Sequence, residues 1–470
     1  MGVRVRVPPS APGLPGVSRL AVLVVPCLLA LLVPTSAFAG QAPAAPSDPT
    51  CDYADAAGRE RAARRRLGAT RSAASPIDSE RLDANRTRGG ERPVALEEVS
   101  RWLGERIASG VDPEGSYALF YAHRGGGLAS WLIGREGLLA CTTHRISPRG
   151  LSDEVWTMMG SLEITERQIP RAARPTRAGA VRPPPPAEDL VTLDRATETL
   201  SAALFPADLA PHLRRVRHLV VIPTGEIGTL PFYALRPFGD RTQAVDHFSI
   251  SIAPSLPALA LPVQRWSSRA AFARPLIVGD PALPPSDVWN VPRLDGARAE
   301  AREIGRMLRT APLVGENASK ARVLAAAPGA SLLFIATHGI SDDLEPITGG
   351  FLMLAGDRLE DGWWTAREIQ SSRLTAQLAV LSACQTGLGA AHAGGTIGLT
   401  RAFQLAGVPR VVMSLWNIDD SATRGLMTRF MNHAADHRPA EALRLAMLET
   451  RRQHPHPAMW ASFLLFGEGA

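Results

Sequence analysis

The sequence is poor in lysine, in aromatic residues and in long apolar runs. Lys320 is the only lysine among 51 basic residues, and aromatic residues make up 6% of the 470-residue chain. The formal charge of +6 is therefore carried by arginine, which is scattered except for a cluster over 59–66. No aromatic side chains alternate with these arginines, which argues against a nucleic-acid-binding surface. A hydrophobic fraction of 45% at this length indicates a globular protein with more than one structural unit.

Cysteine is also scarce, with Cys27, Cys51, Cys141 and Cys384 as the full set. Their spacing matches neither a zinc motif nor a dense disulfide framework. We therefore expect no metal and no other cofactor. A Cys51–Cys141 disulfide is compatible with an oxidising compartment, and so are two free thiols.

The first 39 residues have the pattern of a secretory signal. A positively charged start precedes an apolar stretch over 20–33, and the small-x-small tripeptide Ala37-Phe38-Ala39 follows. The apolar stretch is shorter than the ~20 residues of a membrane-spanning helix. Cleavage after Ala39 predicts an exported protein, periplasmic or extracellular. The alternatives are a membrane anchor left by an uncleaved signal, and a later start, for example at Val17.

Three regions of different composition follow the signal. Residues 40–95 have few large apolar groups, which predicts a disordered linker. Residues 96–180 predict a small α+β unit of a helix and three strands with a proline-rich spacer, and four consecutive prolines follow at 183–186. This unit carries no catalytic cluster, so we expect it to pack against the following domain or to dock a protein partner.

From residue 188 onward, short apolar runs alternate with helical patterns to the end of the chain. This alternation predicts an α/β fold, a three-layer sandwich with helices on both faces of a mostly parallel central sheet. Two of the runs are buried-strand patterns that end in reactive side chains. The run over 331–337 leads into His338-Gly339, and the run over 377–383 leads into Cys384.

His338 and Cys384 form the candidate catalytic pair. Ligands of open parallel sheets bind beyond the carboxyl ends of the strands, where both residues are expected. An imidazole beside a thiol is the minimum set of functional groups for nucleophilic acyl transfer. We expect the backbone amides of Gly339 and Cys384 to form an oxyanion hole. The structural alternative is an inert core thiol and a structural histidine.

From Glu188 to Gly467 the sequence resembles the CHAT domain family, relatives of caspases and separases. The resemblance is carried in the right order by several segments, of which the central ones are Ala336-Thr337-His338-Gly339 and Leu381-Ser382-Ala383-Cys384-Gln385-Thr386-Gly387. The flanking segments are Val221–Phe232, Ile252–Leu256, Val278–Pro281, Arg401–Val408 and Ser414–Asp420. The family would make residues 188–469 a caspase-like peptidase domain.

The resemblance implies a cysteine endopeptidase that cleaves proteins through a thioester without metal. His338 matches the family's base and Cys384 its nucleophile. Two departures weaken the likeness. Gly394-Gly395-Thr396 stands where the family usually has Gly-Glu-Gly, and no helical repeats precede the domain. The rival hypothesis is therefore a catalytically silent CHAT fold that acts as a protein–protein interaction module.

Asp419 and Asp420 are the candidate substrate-binding residues. Related separases use an acidic residue in a similar tryptophan-containing loop to hold a basic side chain before the cut bond. The resemblance thus implies cleavage after a basic residue, which makes the arginines at 64–66 a candidate self-processing site. The structural alternative is that one of the two aspartates caps the helix that begins near Ser421.

Overall fold

The computed structural model describes residues 52–60, 62, 93–162, 187–261, 264–283, 293–340, 350–356, 361–384, 391–392, 395–396, 398–416 and 420–467. The predicted signal at 1–39, the arginines at 64–66 and the prolines at 183–186 lie outside these ranges. In the ranges listed, no helix has the length and apolar character needed to cross a bilayer.

Fifteen strands in the described ranges carry the labels used below. They are β1 (Ser116–Arg124), β2 (Gly127–Gly134), β3 (Gly137–His144), β4 (His218–Ile222), β5 (Ser249–Ile252), β6 (Pro275–Pro281), β7 (Leu313–Gly315), β8 (Leu332–Ile340), β9 (Phe351–Met353), β10 (Trp363–Thr365), β11 (Leu378–Cys384), β12 (Ala391–His392), β13 (Gly395–Thr396), β14 (Arg410–Ser414) and β15 (Phe463–Gly467).

The α-helices are labelled in the same way. They are α1 (Leu96–Ala108), α2 (Pro148–Ser161), α3 (Ala187–Leu204), α4 (Ala210–Leu213), α5 (Ala244–His247), α6 (Ser268–Ala271), α7 (Asp295–Met307), α8 (Lys320–Ala326), α9 (Ala366–Ser371), α10 (Leu399–Ala406), α11 (Asp420–His433) and α12 (Pro439–Gln453).

Thirteen of these strands form one sheet, and nine of the thirteen make up two parallel blocks that run in opposite directions. The first block contains β7, β6, β8, β11 and β14, and the second contains β15, β5, β4 and β1. The blocks meet where β14 and β15 pair antiparallel, with Val412 opposite Leu465. The predicted α/β fold with a mostly parallel central sheet is confirmed.

The two strands that hold the candidate pair lie at the centre of the first block. Residues 332–336 of β8 and 378–381 of β11 are fully buried, which explains their uninterrupted apolar sequences. The start of β8 is fixed to the neighbouring β6 segment by Ser331. Its hydroxyl donates to the Ala271 carbonyl oxygen at 2.7 Å and accepts from the Arg274 amide at 2.8 Å.

Helix α7 covers one face of the first block at close range. A Cβ atom added to Gly279 in β6 would lie 2.7 Å from the Ala297 carbonyl oxygen and would collide with the Ala301 side chain. Gly279 is the register partner of Ala336 in β8, and paired residues of parallel strands point to the same face. Ala336 therefore faces α7, and so does His338 two residues later.

The strands of the N-terminal unit extend the same sheet, because β1 pairs in parallel with β4. Its hairpin and third strand lie where the sequence predicts them. Within the segment expected to be a linker, residues 53–60 are helical. Tyr53 packs edge-on against Phe120 and Trp131, with ring centroids 6.0 and 6.2 Å apart. The composition of residues 40–95 suggested that this segment has too little apolar surface to become ordered. For residues 53–60, these aromatic contacts supply that buried apolar surface.

Candidate active site

The candidate catalytic residues are register partners on adjacent parallel strands. The pairing of β8 with β11 starts at Leu332 opposite Leu378 and ends at His338 opposite Cys384. Neighbouring strands lie about 4.8 Å apart, so the backbones of the two residues are close enough for a direct interaction between a side chain on one and a side chain on the other. Cys384 is the last residue of β11, and His338 is half-buried at the same edge of the sheet.

Strand β8 does not end at His338. β8 continues to Ile340 because β9 pairs antiparallel with its end, with Leu352 opposite Gly339 and Phe351 opposite Ile340. The Thr337 hydroxyl donates to the Met353 carbonyl oxygen and anchors the same junction. His338 is therefore held inside a strand that has neighbours on both sides, which fixes its backbone.

Asp280, the penultimate residue of β6, lies at the same edge and joins this strand to the start of α7. The backbone of Asp280 is left-handed, with φ of 43°. Its carboxylate accepts hydrogen bonds from Arg293 (3.0 Å), from the Leu294 amide (3.0 Å) and from Arg298 (2.7 Å). Burial acts to raise the pKa of Asp280, but these donors outweigh it and hold the pKa below its usual range. The result is a rigid junction between the sheet edge and α7.

Glu300 of α7 is a buried carboxylate that lies below the candidate pair. It was not among the candidate residues identified from the sequence. Its side chain is 2% exposed, and its Oε2 accepts a hydrogen bond from the Ser382 hydroxyl at 3.1 Å. Ser382 precedes Cys384 by two residues in β11. One signal was available in the sequence. Glu300 shares a helical stripe with Ala297, Ala301 and Ile304, all of which are buried, and a charged residue on such a stripe is unusual.

Of the two candidate substrate-binding aspartates, Asp420 is the first residue of α11, and Asp419 lies outside the described residues. The structural alternative, a helix cap, would fall on the position before the helix, which is Asp419. Thr396, the residue that departs from the family pattern, lies in β13, and Ala391 of β12 is its register partner.

No group of three or more metal-ligating side chains occurs among the residues that the structure describes. His433, the last residue of α11, lies 2.9 Å from the Glu449 carboxylate. Cys141 is disulfide-bonded, and its partner lies outside the described residues. The described part of the site thus consists of the His338–Cys384 register pair with Glu300 and Ser382 beneath it.

Fold and site together define a caspase-like α/β protein with a histidine and a cysteine on adjacent strand ends. The CHAT domain matches residues 194–468, which is more than half of the chain, so the protein belongs to the CHAT domain family. The resemblance inferred from the sequence motifs is thereby confirmed.

Two curated relatives and two solved structures are similar to the chain. Tetratricopeptide repeat protein 28 from Homo sapiens is 26% identical over 299 residues, and the protein of the same name from Mus musculus is 26% identical over 300. Each match covers 54% of this chain and 12% of the relative, so the chain spans a small part of these proteins.

The solved structures are two separase–securin complexes of Saccharomyces cerevisiae. One matches 79% of this chain and 31% of the other chain, with a TM-score of 0.50 and 10% identity. The second matches 84% and 33%, with a TM-score of 0.47 and 10% identity. The first of these likenesses supports the fold.

Proposed function

We propose that the protein is a cysteine-type endopeptidase in which Cys384 is the nucleophile and His338 the base. The observation that carries the proposal is the register of β8 and β11, which pairs His338 with Cys384 at the carboxyl edge of a parallel block. Membership of the CHAT domain family supports it. No residue of the proposed chemistry requires a metal.

The proposed reaction has two steps. His338 takes the thiol proton of Cys384, and the thiolate attacks the carbonyl carbon of the scissile peptide bond. The imidazolium then gives this proton to the leaving amine, the C–N bond breaks and a thioester remains. In the second step His338 takes a proton from water, and the resulting hydroxide attacks the thioester. The carboxylic acid leaves and the thiol is restored.

The oxyanion of each tetrahedral intermediate requires donors at the sheet edge. We assign this role to the backbone amides of Gly339 and Cys384, and one such donor is typically worth ~2.7–4 kcal/mol in the transition state. We assign recognition of a basic side chain before the cut bond to Asp419 and Asp420. The substrate is accordingly a protein or peptide, and an interaction partner would bind through the strands β1–β3.

Export is part of the proposal. The signal-like residues 1–39 predict it, and the disulfide at Cys141 supports it because disulfides persist in oxidising compartments. The alternative is a chain that stays anchored through an uncleaved signal.

A peptide-library assay tests the proposal. The purified chain is expected to cleave after arginine, and Cys384→Ala and His338→Ala are each expected to remove cleavage. Asp419→Ala and Asp420→Ala separate the substrate-binding hypothesis from the capping alternative, since only the first predicts a lost preference for arginine. Absence of cleavage in the wild-type protein, together with retained binding of a protein partner, would instead support the rival interaction module.

A further inference from the structure

Helix α7 brings a buried carboxyl group to the underside of the candidate catalytic pair. Glu300 is 2% exposed, although an ionised carboxylate is costly to bury unless polar groups compensate it. One such group is the Ser382 hydroxyl, which donates to Oε2 at 3.1 Å. The contact crosses from the helix layer to the central sheet, so it locates the carboxylate relative to β11.

The sheet register then locates Glu300 relative to the pair. Ser382 is the partner of Ala336, and Cys384 is the partner of His338. Two residues along a strand correspond to about 7 Å, and residues two apart share a face. The Glu300 carboxylate therefore lies on the same side of the sheet as His338, one residue layer below it.

The position of α7 is also fixed independently of Glu300. The Arg298 guanidinium donates to Asp280 at 2.7 Å, and Ala297 and Ala301 lie directly against Gly279. Three contacts, from Ala297, Arg298 and Ala301, thus hold one helical turn at the carboxyl edge of the sheet. A side chain on this turn has little freedom to move away from the pair.

We propose that Glu300 is the positioning carboxylate of the catalytic pair, which stabilises the imidazolium form of His338 through its buried charge. This inference rests on the proposed peptidase function. An opposite charge in a poorly solvated site favours the charged form of a histidine, and the charged imidazole is the form that gives its proton to the leaving amine. Glu300 acts through His338 and does not touch the substrate.

Other charges near α7 are accounted for by their own partners or by solvent. From β6, Asp280 is neutralised by Arg293 and Arg298. From α11, Arg429 lies 3.6 Å from Glu449, and Arg424 is exposed. On α7 itself, Arg302 is exposed and Glu303 is half-buried. In strand β8, the titratable side chain on the same face of the sheet as Glu300 is that of His338.

The test is the pH dependence of kcat/KM for the best library peptide in the purified full chain. In the wild type, kcat/KM should fall at high pH as the imidazolium that gives its proton to the leaving amine becomes deprotonated. Glu300→Gln should move this alkaline limb to lower pH by about 0.5–1 unit, because the charge that favours the imidazolium is gone. It should also lower kcat more than it raises KM. Glu303→Gln, on the same helix, is the matched control and should leave the profile unchanged.

Glu300→Met serves as a second variant, since an apolar side chain of similar length is often tolerated where a buried charge is removed. It should shift the alkaline limb in the same direction as Glu300→Gln. An alkaline limb at the wild-type position in a folded Glu300 variant would overturn the inference while leaving the peptidase proposal intact. A wild-type profile that does not change in His338→Ala would overturn both.

Discussion

Cys384 is the register partner of His338 on adjacent parallel strands; Cys384 ends its strand, and His338 lies two residues before the end of its own. This relationship depends on the packing of the first sheet block. β8 is paired with β11 from Leu332 to His338, with β6 over its first half and with β9 at its end. A strand with neighbours on both sides cannot slip by one residue without moving its entire buried set of side chains to the other face. The register of the pair is therefore strongly specified.

The close contact between β6 and α7 predicts that Gly279→Val is destabilising. The new side chain would collide with Ala301 and with the Ala297 carbonyl group, which lies 2.7 Å from an added Cβ atom. Overpacking of this kind costs about 1–3 kcal/mol. Urea unfolding measures the loss, and peptidase activity should fall with it because α7 is displaced.

Gly329→Ala provides the control, since an added Cβ atom there meets nothing within 4 Å. Its midpoint should stay close to that of the wild type. Equal midpoints for Gly279→Val and Gly329→Ala would contradict the close packing of α7 on the sheet.

A buried histidine in the second block predicts a pH-dependent stability. The ring nitrogens of His218 lie 3.0 and 3.1 Å from the Ser249 and Ser251 hydroxyls, and burial lowers the pKa of His218 to about 4. The unfolded chain binds this proton near pH 6.5, so the folded state loses stability as the pH falls from 6.5 towards 4. The contribution is up to about 3 kcal/mol.

Urea unfolding at several pH values between 7 and 4.5 checks this prediction. The wild type should lose more stability over the range than His218→Asn, which lacks the titrating ring. His454→Asn, at an exposed position, should follow the wild-type curve. Parallel curves for the wild type and His218→Asn would show that His218 is not the group responsible.

The fold was predictable from the sequence where local pattern decides structure. The continuous apolar runs of β8 and β11 lie where the sequence places them. The opposite direction of the two sheet blocks was not predictable. It depends on pairings between distant segments, such as Phe466 with Ile252, and no local pattern encodes those.

The candidate site was likewise predictable from the sequence only in part. His338 and Cys384 were found because each ends a strand pattern, whereas their register depends on the packing of the whole block. The continuation of β8 past Gly339 was missed because glycine after a strand usually indicates a turn, and here β9 supplies a partner. Glu300 was missed because α7 is rich in charged residues, and the burial of one of them is decided by the sheet against which it packs.

The disulfide at Cys141 is predicted to involve Cys51. Cys141 is the register partner of Trp131, and Tyr53 packs against the same tryptophan. The Asp52 carbonyl oxygen, one residue after Cys51, accepts from Arg124 at 3.1 Å. Non-reducing peptide mapping should identify a Cys51–Cys141 peptide. Loss of the bond is expected to cost about 2–5 kcal/mol, because it closes a long loop in the unfolded chain.

Two variants separate the candidate partners of Cys141. Cys51→Ala should leave Cys141 free to react with a maleimide after unfolding, whereas Cys27→Ala should not. A Cys141 that stays blocked in Cys51→Ala would contradict the assignment. Cys384 is excluded as the partner because β11 and β3 are separated by seven strand spacings in the sheet, which is on the order of 30 Å.

The most direct test of the central claim, that His338 activates Cys384, is covalent labelling by an electrophilic peptide with arginine at its reactive end. Intact-protein mass spectrometry should show one adduct in the wild type, located at Cys384 by peptide mapping, and its rate of formation should fall at least ~100-fold in His338→Ala. Equal labelling rates in the wild type and His338→Ala would contradict the account and favour an interaction module without catalysis.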